Sequence, residues 1–413
     1  MGKNTFFTGQ PVFSQLINFI PRGTVAKCAL RHNSDRYTKK FDTYSHLISM
    51  LFVSYKHCTS LREVEFGMSV CHQKLGHLGL TYVPARSTLS EANARRSAEV
   101  FESIYQSLYS QLKGFLPDSR SKKLDNRLYI IDSTTVSLFQ EIMGTIGRKR
   151  MDGKRKGGFK VHSLVKADED VPKFIIISGA ASHDSTFLKH VKLPEGSILT
   201  FDKGYVNYQQ YHRFTKDKIS IVTRLRENAV WSPIKSKEVK QNYFVKGVLS
   251  DDLVMLGHQS HNDIQRVKGR VIKYKDEVSG KIFTFFTNDL KMSPLRIALV
   301  YQKRWQIEVL FKRIKQNYPL QYFLGDNENA IKIQTWCVLI ADLLVKVLKS
   351  GIKHKWSFSG VVAIIRHHLL EYINLREYLE SPESILIRYR KHCSTTDPPN
   401  LFTANKMQWG LGV

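Results

Sequence analysis

The sequence predicts an α/β fold: a mixed sheet flanked by helices, preceded by a helical N-terminal domain and interrupted by a β-rich insertion. Three observations carry that expectation. Residues up to about 124 place apolar side chains at helical spacing with few strand signals. From Arg127 the pattern changes to short apolar runs, first a meander of three, then two more separated by short helical stretches. A further set of short β-like runs fills residues 226–290 before helical spacing returns.

In the expected N-terminal domain, residues 1–124, the segments Thr43 to Tyr55 and Ala98 to Leu112 read as helices. Between them lies a possible helix-turn-helix. Ser60 to Phe66 would form its first helix, and Gly76 and Gly79 lie in the connection. Thr88-x-x-Glu91 reads as a capping box starting a second helix, which carries Arg95 and Arg96 as candidate DNA contacts. The connection is longer than a tight turn, so a helical support domain without base contacts stays open as the alternative.

Residues 125–225 are expected to form the first part of a mixed α/β domain. Leu128 to Ile131 is a strand ending in Asp132, Phe159 to Val165 a second and Pro172 to Ser178 a third, with a hairpin turn at Ala167 to Asp170. Ser182-His-Asp184 offers N-caps for a helix over Ser185 to Val191, and Ser197 to Phe201 is a fourth strand ending in Asp202. A short helix and the strand Ile219 to Thr223 follow. In the insertion the runs Tyr243 to Val248, Val271 to Tyr274 and Lys281 to Thr287 read as strands. The second part of that domain, 291–390, would hold helices over Pro294 to Gln316, Glu328 to Leu348 and Ser359 to Tyr372. Asp397-Pro-Pro then breaks the chain, leaving 391–413 as a tail.

Composition narrows the partner. With 413 residues, 42% of them hydrophobic and 24% charged, the chain is that of a folded protein of two or three domains. Lys and Arg number 63 against 36 acidic residues, a formal net charge of +27, which calls for a polyanion and first of all nucleic acid. A membrane partner fits poorly. The apolar stretch Trp336 to Leu348 carries Asp342 and Lys346 and falls short of the roughly 20 residues a spanning helix needs. No signal-peptide core follows Met1, and Phe6 stands where a myristoylation signal wants Ser or Thr. A cytoplasmic, nucleoid-associated protein is expected. Cys28, Cys58, Cys71, Cys337 and Cys393 are scattered without a C-x-x-C pair, so neither a disulfide framework nor a zinc site is indicated.

The stretch Tyr301 to Lys315 sets one carboxylate among cations. Tyr301, Arg304, Glu308, Lys312 and Lys315 fall within an arc of roughly 80° at about 100° per residue, while Ile307, Leu310, Phe311 and Ile314 make an apolar stripe on another side. Taken alone, Arg304 to Glu308 and Glu308 to Lys312 are i,i+4 pairs of the kind that decorate a solvated helix. Asp132 and Asp202 change that reading. Each ends an apolar strand, where a side chain is delivered to the rim of a sheet, and three carboxylates meeting there with Glu308 would repel one another unless a divalent cation neutralises them. Oxygen-only ligands select Mg²⁺ or Mn²⁺. Two such ions about 4 Å apart would serve an in-line phosphodiester displacement, with Arg304, Lys312 and Lys315 clamping phosphate. Tyr301 reads as a phosphate hydrogen-bond donor, since no H-x-x-R element of a tyrosine recombinase and no H-x-H pair of a rolling-circle nuclease is present.

These residues carry a family resemblance. Tyr301, Arg304, Glu308 and Lys315 match the Y-x2-R-x3-E-x6-K signature of bacterial insertion-sequence DDE transposases of the insertion-sequence-four family, and Lys312 matches a further lysine of some members. Ile131-Asp132-Ser-Thr-Thr and Phe201-Asp202-Lys203-Gly204-Tyr205 resemble the segments of the first two acids, although many relatives have Arg in place of Lys203. Lys160-x-His162 and Phe323-Leu-Gly325-x-Asn-Glu-Asn329-Ala are also similar. The resemblance implies an RNase H-like catalytic fold with Asp132, Asp202 and Glu308 as catalytic metal ligands. It also implies binding of double-stranded DNA at terminal inverted repeats, 3′-OH formation and joining to target DNA, and a homodimer for synapsis. The 106 residues from Asp202 to Glu308 leave room for an inserted subdomain.

Two further elements stand beside it. Arg148, Lys149, Arg150, Lys154, Arg155 and Lys156 fall within nine residues between the first two strands, enough to track a phosphate backbone, or else a solvated hairpin loop. Trp231 is the only tryptophan of the expected insertion, a region in which some relatives use one to stack on an extruded base, though a packing role suits it better. The readings that compete with a transposase are an inactive DNA-binding relic or repressor, and an RNase H-like nuclease without strand transfer.

Overall fold

The computed structural model describes residues 9–116, 127–137, 148–149, 155–156, 158–167, 169–179, 184–258, 266–320 and 322–383. Arg150, Lys154 and the expected tail at 391–413 lie outside the described residues. The N-terminal part is helical: α1 (Val12–Ile17), α2 (Arg22–Arg31), α3 (Thr43–Lys56), α4 (Leu61–Val70), α5 (Arg86–Arg95) and α6 (Ala98–Leu112). The Asp42 carboxylate accepts the Ser45 amide to start α3, and His57 ends it at φ 59°. Almost all of α3 is buried, and its Tyr55 hydroxyl donates to the Ala341 carbonyl, so these helices share one core with the C-terminal ones. Helix α5 starts at Arg86 behind Pro84 and Ala85, so Thr88 lies inside its first turn and caps nothing. The expected capping box is thus a chance spacing.

The sheet is built of β1 (Leu128–Ser137), β4 (Gly158–Lys166), β5 (Pro172–Gly179), β6 (Ile198–Phe201), β7 (Ser220–Arg224), β8 (Trp231–Lys237), β9 (Val248–Leu256), β10 (Val267–Lys275) and β11 (Ile282–Thr287). Their order is β5-β4-β1-β6-β7-β11-β10-β9-β8. Strands β1, β4 and β5 form an antiparallel meander, and β6 and β7 run parallel to β1 with α7 (Tyr208–Lys216) crossing between them. That is an RNase H-like order. Arg148–Lys149 (β2) and Arg155–Lys156 (β3) pair as a separate two-stranded ribbon.

The inserted strands do not make a layer of their own. Strand β11 pairs with β7, so four strands extend the same sheet, and the buried Arg270 guanidinium ties β10 to Asp251 of β9. Tyr243 lies in a short helix, α8 (Gln241–Phe244), and not in a strand. The strand waits for Gly247, whose φ of 88° and contact with the Lys275 carbonyl, where a Cβ would collide, suit only glycine.

Both faces of the central sheet are covered, which is why the paired halves of β1 and β6 are near-continuous apolar runs. Leu128 and Ile130 join the core shared with the helices, while Tyr129 and Ile131 join a second core with Phe187, Phe201, Tyr211 and Phe214. After the sheet come α9 (Pro294–Lys303), α10 (Trp305–Asn317), α11 (Glu328–Ser350), α12 (Phe358–His368) and α13 (Leu375–Glu380). The helix expected over Pro294 to Gln316 is broken at Arg304. There the Arg304 amide bonds Tyr301 O at 3.0 Å and the Ile307 amide bonds Arg304 O at 3.2 Å, i→i−3 links that tighten the turn and re-aim the second half. Among the described residues no helix is long and apolar enough to cross a membrane.

Candidate active site

Strand register brings the first two acids together. Strands β1 and β6 pair in parallel through Ile130↔Thr200 and Ile131↔Phe201, so Asp132 and Asp202 follow side by side one step beyond the ladder. By alternation they share the face of Ile130 and Ile198, the face against which the helices pack. Asp132 ends the apolar run but not the strand. β1 continues to Ser137, paired with β4 alone, and the rim arises because β6 stops at Phe201.

Helix α10 supplies the third acid. Ile307, Leu310, Phe311 and Ile314 are buried as their stripe predicts, which leaves Glu308 half-exposed over the rim. Arg304 joins the acids: its Nη1 donates to Asp132 Oδ2 at 2.8 Å and its Nη2 to Glu308 Oε1 at 2.6 Å. The Tyr301 hydroxyl donates to Asp202 Oδ1 at 3.2 Å. Residues expected to touch phosphate therefore hold carboxylates instead. Burial, then the neighbouring Asp202, pushes the Tyr301 phenol up to about 12, so it keeps its proton and makes a poor nucleophile. The Asp132 carboxyl is raised to about 6, by burial first, with Asp202 and Glu308 adding to the rise and the Ser133 amide and Arg304 opposing it.

The donor chemistry fits a hard divalent cation, being oxygen-only and short of positive charge. Its spacing is set at present by the guanidinium between Asp132 and Glu308, and among the described residues no three acidic, histidine or cysteine groups already close on one point. A groove of about 560 Å³ opens beside Glu308, lined by Ser133, Thr134, Glu308, Phe311, Lys312 and Lys315. Lys312 and Lys315 are exposed along it, while Arg304 is withdrawn from it. Ser133 and Thr134 were missed as site residues, although their place directly after Asp132 on an edge of the rim was the signal.

The N-terminal candidates separate. Arg95 is solvent-exposed and paired to Glu91 at 2.7 Å. Arg96 is a correction: only 8% exposed, it donates to Phe41 O at 2.8 Å, His46 Nδ1 at 3.1 Å and Asp35 Oδ1 at 3.3 Å, so it cannot reach DNA. Burial, then the Arg96 charge, pushes His46 down to about 3 and keeps it a neutral acceptor for that guanidinium. Arg96→Ala should lower unfolding free energy by about 2 kcal/mol, the scale of a buried charged hydrogen-bond donor, and leave the DNA affinity of the folded protein unchanged. Urea denaturation with a gel-shift titration checks both. Trp231 opens β8, partly buried against the second core. Arg148, Lys149, Arg155 and Lys156 are placed only as the backbone of the ribbon.

Comparison with known proteins defines the class. A family model described as "Transposase DDE domain" matches residues 123–344, more than half of the chain, and one described as a domain of unknown function (DUF4372) matches residues 8–81. The chain belongs to the DDE-domain transposases of bacterial insertion sequences. It is 30% identical over 271 residues to a protein named as transposase y4zB of Sinorhizobium fredii, covering 64% of this chain and 71% of that one. It is 29% identical over 269 residues to one named for the insertion sequence element IS4SA of Synechocystis sp., covering 63% and 71%. A third, named for the element IS5377 of Geobacillus stearothermophilus, is 26% identical over 58% of this chain and 61% of its own length. Superposition on the cryo-EM structure of the piggyBac transposase synaptic complex with hairpin DNA gives a TM-score of 0.41 at 12% identity, over 94% of this chain and 84% of that one, too slight a likeness to assign anything.

Proposed function

We propose that this enzyme binds the terminal inverted repeats of an insertion sequence, cleaves phosphodiester bonds there and joins the resulting 3′-OH ends to target DNA. The observation that carries the reading is the convergence of Asp132, Asp202 and Glu308, from three distant segments, on one rim beside a lysine-lined groove. Asp132, Asp202 and Glu308 would hold Mg²⁺, or Mn²⁺, and two such ions supply activation of the attacking oxygen and stabilisation of the leaving one. The chain's own residues do the rest. Tyr301, protonated, orients Asp202; Arg304 fixes the spacing of Asp132 and Glu308; Lys312 and Lys315 face the phosphates of the strand lying in the groove. Synapsis of two ends calls for a homodimer, and Arg95 and the β2–β3 ribbon are the further DNA contacts that fit the net charge of +27.

The test is a reaction of purified protein with duplexes carrying the element ends and a target plasmid in Mg²⁺. Nicked ends and 3′ ends joined to target are expected, and both should vanish in EDTA. Nicks without joined products would identify a nuclease, and neither product would leave a DNA-binding relic.

A further inference from the structure

A fourth carboxylate stands behind the site. Asp184 was expected to cap a helix over Ser185 to Val191; it opens a 3₁₀ turn, Asp184–His190, with its carboxylate aimed back at the sheet. Its Oδ1 accepts from Lys160 Nζ at 3.0 Å and from Ser133 Oγ at 3.2 Å, and His162 Nδ1 lies 3.8 Å away. Register explains the grouping: Ser133↔His162 and Thr135↔Lys160 are cross-strand pairs, so Ser133, His162 and Lys160 share the face opposite to that of Asp132. From that face Asp184 reaches the loop of the second acid. A Cβ placed on Gly204 would lie 3.4 Å from Asp184 Oδ2 and 3.9 Å from Asp202 Oδ2, so the two carboxylates flank this glycine. Tyr205, next in the loop, is buried and bonds His162 Nδ1 at 3.3 Å, and His162 is in turn held by Ser178 at 3.1 Å and stacked on Phe187 at 5.3 Å.

We infer that Asp184, neutralised by Lys160, is a positioning residue that braces the Asp202–Tyr205 loop against β1 and so fixes the separation of Asp132 and Asp202. Asp132 is held from one side by its own neighbour Ser133, whose amide donates to Asp132 Oδ1 at 2.8 Å while its hydroxyl donates to Asp184. Asp202 is held by the Gly204 amide, 3.4 Å from its Oδ2, in the loop that Asp184 backs. One carboxylate thus bonds the support of Asp132 and lies beside that of Asp202.

The proposal rests on the metal-dependent reading of the site, and its test separates the two. Mn²⁺ binding to the full-length protein is measured by electron paramagnetic resonance for wild type, D184N, K160M, D184N/K160M and D202N, with thermal melts and DNA binding in EDTA as controls. D184N should weaken Mn²⁺ binding about tenfold, the usual scale for residues that orient ligands, with DNA binding unchanged. The double variant should be no weaker than D184N, because the pair acts as a unit. Unchanged Mn²⁺ binding in a folded D184N beside a weakened D202N overturns the brace; unchanged binding in both sinks the metal site itself. If D184N abolishes binding as D202N does while K160M leaves it intact, Asp184 is a ligand and the brace is wrong. Should D184N not fold, K160M carries the same tenfold expectation.

Discussion

Glu308→Gln is expected to lower DNA cleavage by about 10³-fold or more, equivalent to roughly 4 kcal/mol of barrier, while DNA binding and stability hold. Gln keeps the size of the side chain and removes its charge, so the change reads the carboxylate alone. Glu308 is half-exposed, and without its charge the Arg304 guanidinium keeps Asp132 as a partner at 2.8 Å, so no buried charge is stranded. A helix whose charged face served only for solvation would lose nothing measurable in rate. A metal ligand would lose the electrostatic stabilisation that dominates phosphoryl chemistry. Single-turnover cleavage of a labelled end duplex, beside a gel-shift titration in EDTA, separates the two; cleavage at the wild-type rate would remove Glu308 from the site. Asp132→Asn should act alike on rate.

Strands of the central sheet were legible where they are short apolar runs, as at Leu128 to Ile131 and Ser197 to Phe201, and Asp132 and Asp202 stood out as the polar residues that close them, while the arrangement of the strands in the sheet came only with the family resemblance. What could not be read was set by long-range contacts. The pairing of β11 with β7, which makes the insertion an extension of the sheet, leaves no local trace in either strand. Arg304 is an ordinary helix former, and nothing in Tyr301 to Lys315 announces the tightened turn that lets its guanidinium bridge Asp132 and Glu308. The fate of Arg96 was equally hidden, since its partners Asp35, Phe41 and His46 lie 50 or more residues away. Asp184 had a competing local role as a cap, and only the period of two in Lys160-x-His162 hinted that a polar face waited for it.

Arg313→Met should destabilise the fold by about 3–5 kcal/mol, the scale for stripping one partner from a buried ion pair. Arg313 lies on α10, five residues after Glu308, and its Nη2 donates to Asp342 Oδ2 of α11 at 2.7 Å and to the Asp170 carbonyl at 3.0 Å. Its Nη1 meets the Asp170 carboxylate, which also binds Lys346, and its guanidinium lies 4.4 Å over the Phe358 ring. This one side chain joins the glutamate helix, the hairpin turn before β5 and two C-terminal helices. Asp342 is 1% exposed; burial raises its carboxyl, and Arg313 is the first charge that opposes the rise. Without Arg313 that carboxylate must stay charged beside Lys346 alone or take up a proton, and either outcome costs stability. Removing both partners, as Arg313→Met with Asp342→Leu, should recover much of the loss, because an apolar pair of similar volume asks for no desolvated charge. Urea denaturation of the two variants decides it. A single variant within 1 kcal/mol of wild type would mean that Asp342 is already neutral, and that α10 is held over the rim by its apolar stripe without help from the ion network.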